Sequence, residues 1–146
     1  MPAKLNYDFE EYFNLELLDG YGITETSTMV TMNWSGKERN MGSCGLPLPG
    51  MSVRIVNDND LDVKPGEEGE LICRGPNVMI GYHKKENETD KILKNGWYYT
   101  GDLAKQDLNG FITITGRLKE IIIRGGQNIS PTEVEEAILK LSLIHI

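Results

Sequence analysis

The sequence contains only two cysteines, two histidines and no long apolar run. Cys44 and Cys73 are far apart, no Cys-x-x-Cys pair occurs, and neither His83 nor His145 stands at a metal-ligand spacing from them. These spacings indicate neither a disulfide framework nor a zinc site, and they favour a reducing cytosol. No stretch reaches the roughly 18 apolar residues of a membrane span, and the N-terminus lacks the apolar core of a signal peptide. We therefore expect a cytoplasmic protein without a transmembrane segment.

Several common catalytic and nucleotide-binding motifs are also missing. The sequence has no Gly-x-x-x-x-Gly-Lys-[Ser/Thr], His-Glu-x-x-His, Gly-x-Ser-x-Gly or Gly-x-Gly-x-x-Gly pattern, so P-loop, zincin, hydrolase and Rossmann interpretations have no support. Basic charge is scarce as well, with 15 Lys and Arg against 22 Asp and Glu and a net charge of −7. Because such a surface repels a phosphate backbone, we expect no nucleic-acid partner.

The 146 residues, 39% of them apolar, are enough for one hydrophobic core and a small second lobe, because a chain of this length buries about 68–70% of its unfolded surface. Apolar residues that alternate with polar ones predict strands over 51–56, 69–74 and 110–115, separated by turns rich in Pro, Gly and Asn. Further strands are predicted at 97–99 and 120–124. The centre of the chain is therefore predicted to be mostly β-structure.

Helices are predicted nearer the ends of the chain. Apolar residues at helical spacing predict a helix from Tyr7 onward that gives way to extended chain over 15–18. The polar stretch 21–43 has neither helical nor strand periodicity and is predicted to be mostly loop. A short helix is expected over 89–94, and another is expected to run to about Lys140 from a start near Ser130, which would be its N-cap, with Pro131 as its first residue.

The stretch 20–27 combines an aromatic ring, two threonines and a carboxylate between glycines. A ring such as that of Tyr21 can stack on a base, and the Thr24 hydroxyl can donate to a phosphate oxygen. The Glu25 carboxylate can hold Mg²⁺, which takes only one or two carboxylates from a protein. The alternative from the residues alone is a glycine-flanked turn followed by a polar loop, and the spacing leaves both interpretations open.

Two further motifs supply a carboxylate and two cations. Asp102 follows Gly101 at the end of an aromatic strand, and its two oxygens can accept from both hydroxyls of a vicinal diol such as ribose. Arg117 and Lys119 stand between two predicted strands, where an arginine can reach phosphate or ribose and a lysine can absorb a backbone rotation at a domain boundary. A plain turn and a solvated basic turn are the respective alternatives.

In their order along the chain, these motifs resemble those of the adenylate-forming superfamily, which comprises acyl-CoA synthetases, luciferases and peptide-synthetase adenylation domains. The resemblance covers nearly the whole chain and is strongest for AMP-forming fatty acyl-CoA synthetases. The segments that carry it are 21–25 (Tyr-Gly-Ile-Thr-Glu), 99–102 (Tyr-Thr-Gly-Asp), 116–119 (Gly-Arg-Leu-Lys) and 124–126 (Arg-Gly-Gly), with 42–50, 69–75 and 81–82 between them.

The resemblance implies an α/β fold with a predominantly β central part. Residues 1–116 would be the C-terminal part of the AMP-binding N-terminal domain, formed by an edge of its α/β sheet and a distorted β-barrel subdomain over about 42–116. Residues 117–140 would be the hinge and the truncated start of a small α+β C-terminal lobe. The chain is then expected to be an internal fragment that lacks both ends of a longer enzyme.

The resemblance also implies roles for particular residues. It places three residues in catalysis. Thr24 would contact the α-phosphate, Glu25 would hold Mg²⁺, and Lys119 would lie at the hinge that rotates between adenylation and thioester formation. The implied binding roles are Tyr21 on adenine, Gly22 beside the acyl pocket, Thr24 on phosphate, Asp102 and Arg117 on ribose, and Gly125 and Gly126 along the pantetheine tunnel.

The implied reaction is a two-step ligation. A carboxylic acid and ATP give an acyl-adenylate and pyrophosphate with Mg²⁺ as cofactor, and the thiol of coenzyme A then displaces AMP. The family's Ser/Thr/Gly-rich phosphate loop and C-terminal catalytic lysine are absent from these residues, so we expect the isolated chain to be inactive. Two alternatives stay open: a short non-catalytic β-rich nucleotide-binding module, and part of a luciferase-like or carrier-protein-loading enzyme.

The last six residues, Leu-Ser-Leu-Ile-His-Ile, do not continue the family pattern. This hexapeptide is what the end of a transposon-based sequencing adapter encodes in this frame, so we expect residues 141–146 to be a library artefact. Genomic DNA sequenced through the source locus should diverge from the chain after about Lys140. Finding residues 141–146 encoded in the genome would contradict this prediction.

Overall fold

The computed structural model describes residues 3–120, 122–124, 127–129 and 131–140. None of the helices in these ranges is both long enough and apolar enough to cross a membrane. The helices are α1 (Ala3–Phe13), α2 (Glu86–Ile92) and α3 (Pro131–Lys140). The strands are β1 (Gly20–Ile23), β2 (Thr28–Met32), β3 (Leu46–Pro47), β4 (Ser52–Val56), β5 (Glu68–Arg74), β6 (Leu93–Lys94), β7 (Trp97–Gln106), β8 (Ile112–Arg117), β9 (Ile122–Arg124) and β10 (Gln127–Ile129).

The central sheet is built around the long strand β7. One edge of β7 pairs with β5, which in turn pairs with β4, and all these pairs are antiparallel. The other edge pairs first with β6 and then with β8, where Asp102 lies opposite Arg117. The register between β5 and β7 shifts at residues 100–102, and such an irregularity bends a strand and increases its twist.

A hydrophobic core joins this sheet to the smaller antiparallel sheet formed by β1, β2 and β3. The two sheets are also linked by the backbone, because Cys44 N–H donates to the Ile112 carbonyl at 2.8 Å and Ile112 N–H donates to the Gly45 carbonyl at 3.0 Å. The buried members of the core come from both sheets: Val30, Ile55, Leu71, Cys73, Tyr98, Ala104 and Ile112. Alternate residues of β5 therefore face the core, as the sequence pattern predicted.

The predicted central strands are confirmed, with small shifts at their ends. Strands β4, β5 and β8 lie where the alternation placed them, and β7 continues well past 97–99 because its second half pairs with β8. The strand predicted at 120–124 is shorter, because Leu118–Glu120 forms a 3-10 turn before β9. The predicted fold class, α/β with a predominantly β centre, is confirmed.

The predicted helices are present: α3 lies where it was predicted, and α1 and α2 are displaced. Helix α1 begins at Ala3 and ends at Phe13, and residues 15–18 form no strand. The prediction for α1 assumed that the spaced apolar residues form a buried face. Tyr12 is one of these residues and its side chain is 82% exposed, so their spacing does not mark a buried face in the chain. Helix α2 starts earlier than predicted, at Glu86.

The prediction that 21–43 is mostly loop is wrong for its first part. Strand β1 is followed by a 3-10 turn at Thr24–Thr26, and β2 then returns antiparallel to β1. The buried Thr26 closes this turn, since its hydroxyl donates to the Ile23 carbonyl at 3.0 Å. Strand β2 pairs on both sides, which lets a strand form without alternating polarity in its sequence.

The two cysteines should be unreactive in the folded chain. Burial raises the pKa of the Cys44 thiol, and it raises the pKa of the Cys73 thiol to about 12, so very little Cys73 thiolate is present at pH 8. Against an ordinary thiol pKa of about 8.5, we expect Cys73 to react with a disulfide reagent roughly a thousandfold more slowly in the native chain than in urea. The absorbance of the released reagent gives the reaction rate, and the Cys44→Ser and Cys73→Ser variants separate the rates of the two thiols. Equal native and unfolded rates would contradict the burial of Cys73.

Candidate active site

A cleft of about 490 Å³ opens where β1, α2, β6, β7 and the end of β8 meet. Its walls carry both signs of charge in equal number among the described residues. The carboxylates are Glu25, Glu70, Asp102 and Glu120, and the cations are Lys91, Lys94, Arg117 and Lys119. The cleft therefore brings together four of the predicted site residues from three separate parts of the sequence: Glu25, Asp102, and the neighbours Arg117 and Lys119.

The Asp102 carboxylate is 4% exposed, and one of its oxygens accepts a hydrogen bond while the other belongs to an ion pair. The Tyr21 hydroxyl donates to Oδ2 at 2.6 Å, and Arg117 Nε lies 2.9 Å from Oδ1. Arg117 reaches this position because it is the direct cross-strand partner of Asp102. Each carboxylate oxygen has two lone pairs, so each retains capacity for one further donor from the cleft.

The turn that presents Asp102 is held from the neighbouring strand β5. Leu103 pairs with Glu70 and Tyr99 pairs with Ile72, so residues 100–102 bulge out of the β5–β7 register. The Gly101 N–H donates to Glu70 Oε1 at 2.9 Å. Burial raises the pKa of Glu70, and the bond from Gly101 opposes that rise.

Thr100 adds a second restraint to the same turn. Its hydroxyl donates to the Leu71 carbonyl at 2.7 Å and accepts from the Asp102 N–H at 3.0 Å. The sequence analysis missed the parts played by Thr100 and Glu70. The available signal was an acidic residue within an otherwise apolar strand, Gly-Glu-Leu-Ile-Cys at 69–73.

Tyr21 contributes its hydroxyl to the site and packs against the hydrophobic core. Burial raises the pKa of Tyr21 and the bond to Asp102 raises it further, so the phenol remains protonated and acts as a donor. The predicted stacking of its ring on adenine stays a prediction.

The next residue, Gly22, has a structural requirement of its own. A Cβ at this position would lie 1.5 Å from the Thr28 carbonyl oxygen, because β1 runs close against the start of β2. Any side chain at Gly22 would therefore push the two strands of the hairpin apart. Thr24 opens the 3-10 turn and is exposed between Ile23 and Glu25, which both line the cleft.

The segment that precedes α2 donates two hydrogen bonds to Glu25. The Tyr82 hydroxyl donates to Glu25 Oε1 at 2.7 Å, and the Met79 N–H donates to the Glu25 carbonyl at 2.8 Å. The bond to Glu25 raises the pKa of Tyr82. Sequence reasoning did not find the Tyr82 contact, because nothing local links the two residues.

The Glu25 carboxylate is a candidate ligand for a magnesium ion that is shared with a bound ligand. Among the described residues, no group of three or more His, Cys, Asp or Glu side chains could enclose a metal by itself. Mg²⁺ is usually bound by one or two protein carboxylates, with water and substrate phosphates as its other ligands. Glu25, as one carboxylate of the cleft, suits that arrangement and does not suit a metal cage made of protein alone.

The remaining predicted residues follow the cleft in the chain. Lys119 is exposed in the 3-10 turn that links β8 to β9 and lines the cleft. Gly125 and Gly126, predicted to lie along a pantetheine tunnel, fall outside the described residues.

Comparison with known sequences identifies the relatives of this chain. The AMP-binding enzyme family matches residues 1–83. The long-chain-fatty-acid–CoA ligase of Escherichia coli O157:H7 is 44% identical over 124 residues, which cover 85% of this chain and 22% of that protein. The medium-chain fatty-acid–CoA ligase of Escherichia coli strain K12 is 43% identical over 147 residues, which cover 99% of this chain and 26% of that protein. The chain thus spans about a quarter of the length of these curated relatives.

A solved structure shares the fold as well. O-succinylbenzoate coenzyme A synthetase (MenE) from Bacillus subtilis, in complex with ATP and magnesium ion, superposes with a TM-score of 0.85 at 33% sequence identity. The match covers 97% of this chain and 30% of the MenE chain. With the family match over more than half of its residues and the shared fold, the chain belongs to the AMP-binding enzyme family.

Proposed function

We propose that the chain forms the nucleotide-binding part of an ATP-dependent carboxylate–CoA ligase. Such an enzyme activates a fatty or other carboxylic acid as an acyl-adenylate and transfers the acyl group to coenzyme A. The observation that carries the proposal is the buried Asp102 carboxylate, oriented by Tyr21 and Arg117 at a cleft that it shares with Glu25. The names of the relatives, which are CoA ligases, support the reaction class.

In this proposal Asp102 recognises the ribose. Its two oxygens are fixed by Tyr21 and Arg117, and the lone pairs left over match the two adjacent donors of a vicinal diol. Arg117 is exposed enough to contact the sugar from the same side. Tyr21 supplies the aromatic face for adenine, and Gly22 keeps the neighbouring backbone free of a side chain.

The phosphate end of the nucleotide is assigned to Thr24 and Glu25. The exposed Thr24 hydroxyl is available to donate to a phosphate oxygen, and the Glu25 carboxylate would hold Mg²⁺. When bound, the metal would supply positive charge against the charge that develops on the phosphoryl oxygens. The Tyr82 hydroxyl keeps the carboxylate in one orientation for that role.

The C-terminal part of the chain is assigned to the second step. We propose that 1–116 belong to the large domain and that 117–140 begin a small lobe, with Lys119 at the hinge between them. In the same proposal, Gly125 and Gly126 border the pantetheine arm of coenzyme A. Lys119 is exposed in a single 3-10 turn between β8 and β9, and a short connection of this kind can absorb a backbone rotation.

Diol recognition can be isolated with one substitution and one altered ligand. In the full chain, Asp102→Asn should weaken AMP binding at least tenfold, because it removes the charge that pairs with Arg117 and one acceptor site. The substitution should have little effect on 2′,3′-dideoxy-AMP, which has no diol. Calorimetric titration of both ligands measures the two effects, and Asp58→Asn, on an exposed turn, is the matched control. If Asp102→Asn weakened the binding of both ligands equally, Asp102 would not recognise the diol.

Ligase activity can be tested by returning the chain to a complete enzyme. Residues 3–140 would replace the aligned segment of the Escherichia coli K12 medium-chain ligase, with which the chain is 43% identical. We expect the chimera to release pyrophosphate and form acyl-CoA, and the chain alone to bind AMP without turnover. A chimera that folds and binds AMP but forms no acyl-adenylate would favour the second candidate, a non-catalytic nucleotide-binding module. Acyl-adenylate without acyl-CoA would favour a different thiol acceptor.

A further inference from the structure

We propose that Tyr82 is a positioning residue for the metal-binding carboxylate, acting through its hydroxyl on Glu25. The two residues are 57 positions apart, and the hydroxyl donates to Glu25 Oε1 at 2.7 Å. The inference rests on the proposed function, in which Glu25 holds Mg²⁺ beside the nucleotide phosphates. A hydrogen bond to an ionised carboxylate is stronger than one between neutral groups, so it can fix the side chain in one rotamer.

The segment that carries Tyr82 contacts the Glu25 turn and the strand β2 that follows it. The Met79 N–H donates to the Glu25 carbonyl at 2.8 Å, and Asn77 Nδ2 donates to the Met29 carbonyl in β2 at 2.8 Å. The backbone of the turn is therefore located without help from the Tyr82 hydroxyl. What the hydroxyl adds is the orientation of the carboxylate itself.

Tyr82 is in turn anchored to helix α2. Its N–H donates to Thr89 Oγ1 at 2.9 Å, and the Thr89 hydroxyl donates to the Lys85 carbonyl at 3.0 Å. A Cβ at Gly81 would lie 2.8 Å from Thr89 Cγ2, so the chain passes close to the helix at this point. These contacts fix the backbone of Tyr82 against α2. A residue that orients another side chain must itself be held in this way.

The two ends of the proposed nucleotide site are held by separate tyrosines. Tyr21 donates to Asp102 on the diol side, and Tyr82 donates to Glu25 on the metal side. Removing one hydroxyl should therefore disturb one end and leave the other unchanged. A general loss of structure would weaken both ends together, so the selectivity of the effect identifies positioning.

The test compares Tyr82→Phe, Glu25→Gln, the double variant and Tyr12→Phe in the full chain. Tyr12 is 82% exposed on α1, so its substitution is the matched loss of a hydroxyl away from the cleft. Mn²⁺, observed by electron paramagnetic resonance, reports metal binding in the presence of ATP, and calorimetry reports the binding of metal-free AMP. We expect Tyr82→Phe to weaken Mn²⁺–ATP binding about fivefold and to change AMP affinity less than twofold. In the Glu25→Gln background, Tyr82→Phe should have no further effect.

The outcomes separate this inference from the proposed function. If Glu25→Gln leaves Mn²⁺–ATP binding unchanged, the metal role of Glu25 in the proposed function is wrong. If Glu25→Gln weakens binding and Tyr82→Phe does not, or if Tyr82→Phe weakens AMP and Mn²⁺–ATP equally, the positioning role is overturned. The same variants in the ligase chimera give a second readout, in which Tyr82→Phe should raise the KM for Mg²⁺–ATP about fivefold while kcat changes less. Equal kcat and KM for Tyr82→Phe and Tyr12→Phe there would also overturn it.

Discussion

The Asp102 carboxylate, 4% exposed in the bulge of β7, carries a charge that must be paired inside the protein. An unpaired buried charge is strongly destabilising, because the lost hydration is not replaced. Its partners come from different elements, Tyr21 from the smaller sheet and Arg117 from the neighbouring strand β8. The charge is satisfied only when the two sheets pack in one relative position. The contact that stabilises the buried carboxylate therefore also assembles the cleft.

The irregularity of the central sheet serves the same contact. A regular β7 would continue the ladder with β5 through residues 100–102, whereas the observed register leaves these residues outside it. Glu70 and Thr100 satisfy the backbone groups that the ladder no longer pairs. Bulges are common beside active sites because they re-aim one side chain without breaking the sheet. Here the re-aimed side chain is that of Asp102.

Local sequence patterns were sufficient for the strands of the central sheet, because each carries its alternation within a few residues. They failed for the β1–β2 hairpin, which is stabilised by pairing with β3 and by the buried Thr26 and not by alternating polarity. Motif resemblance singled out Glu25 and Asp102 as candidates, but it could not supply their donors. The contact of Tyr82 with the distant Glu25 leaves no periodic or compositional signal, and the signal for Glu70 is one acidic residue within an apolar strand. The part of the site that sequence reasoning missed is therefore the part that orients the predicted groups.

The balance of charge in the cleft is compatible with the phosphate-bearing ligand of the proposed function, although the chain as a whole is acidic. The net charge of −7 repels polyanions, but at physiological salt this repulsion is screened beyond about 8 Å. At shorter range a ligand interacts with the side chains that line the cleft. Among the described residues these include four cations and four carboxylates, so their charges balance. In the proposed arrangement Asp102 faces hydroxyl donors, and Glu25 is the carboxylate assigned to the phosphate end of the ligand. In the proposed function, a magnesium ion on Glu25 would offset the repulsion between this carboxylate and the phosphates, so the nucleotide would bind better with its magnesium ion than without it.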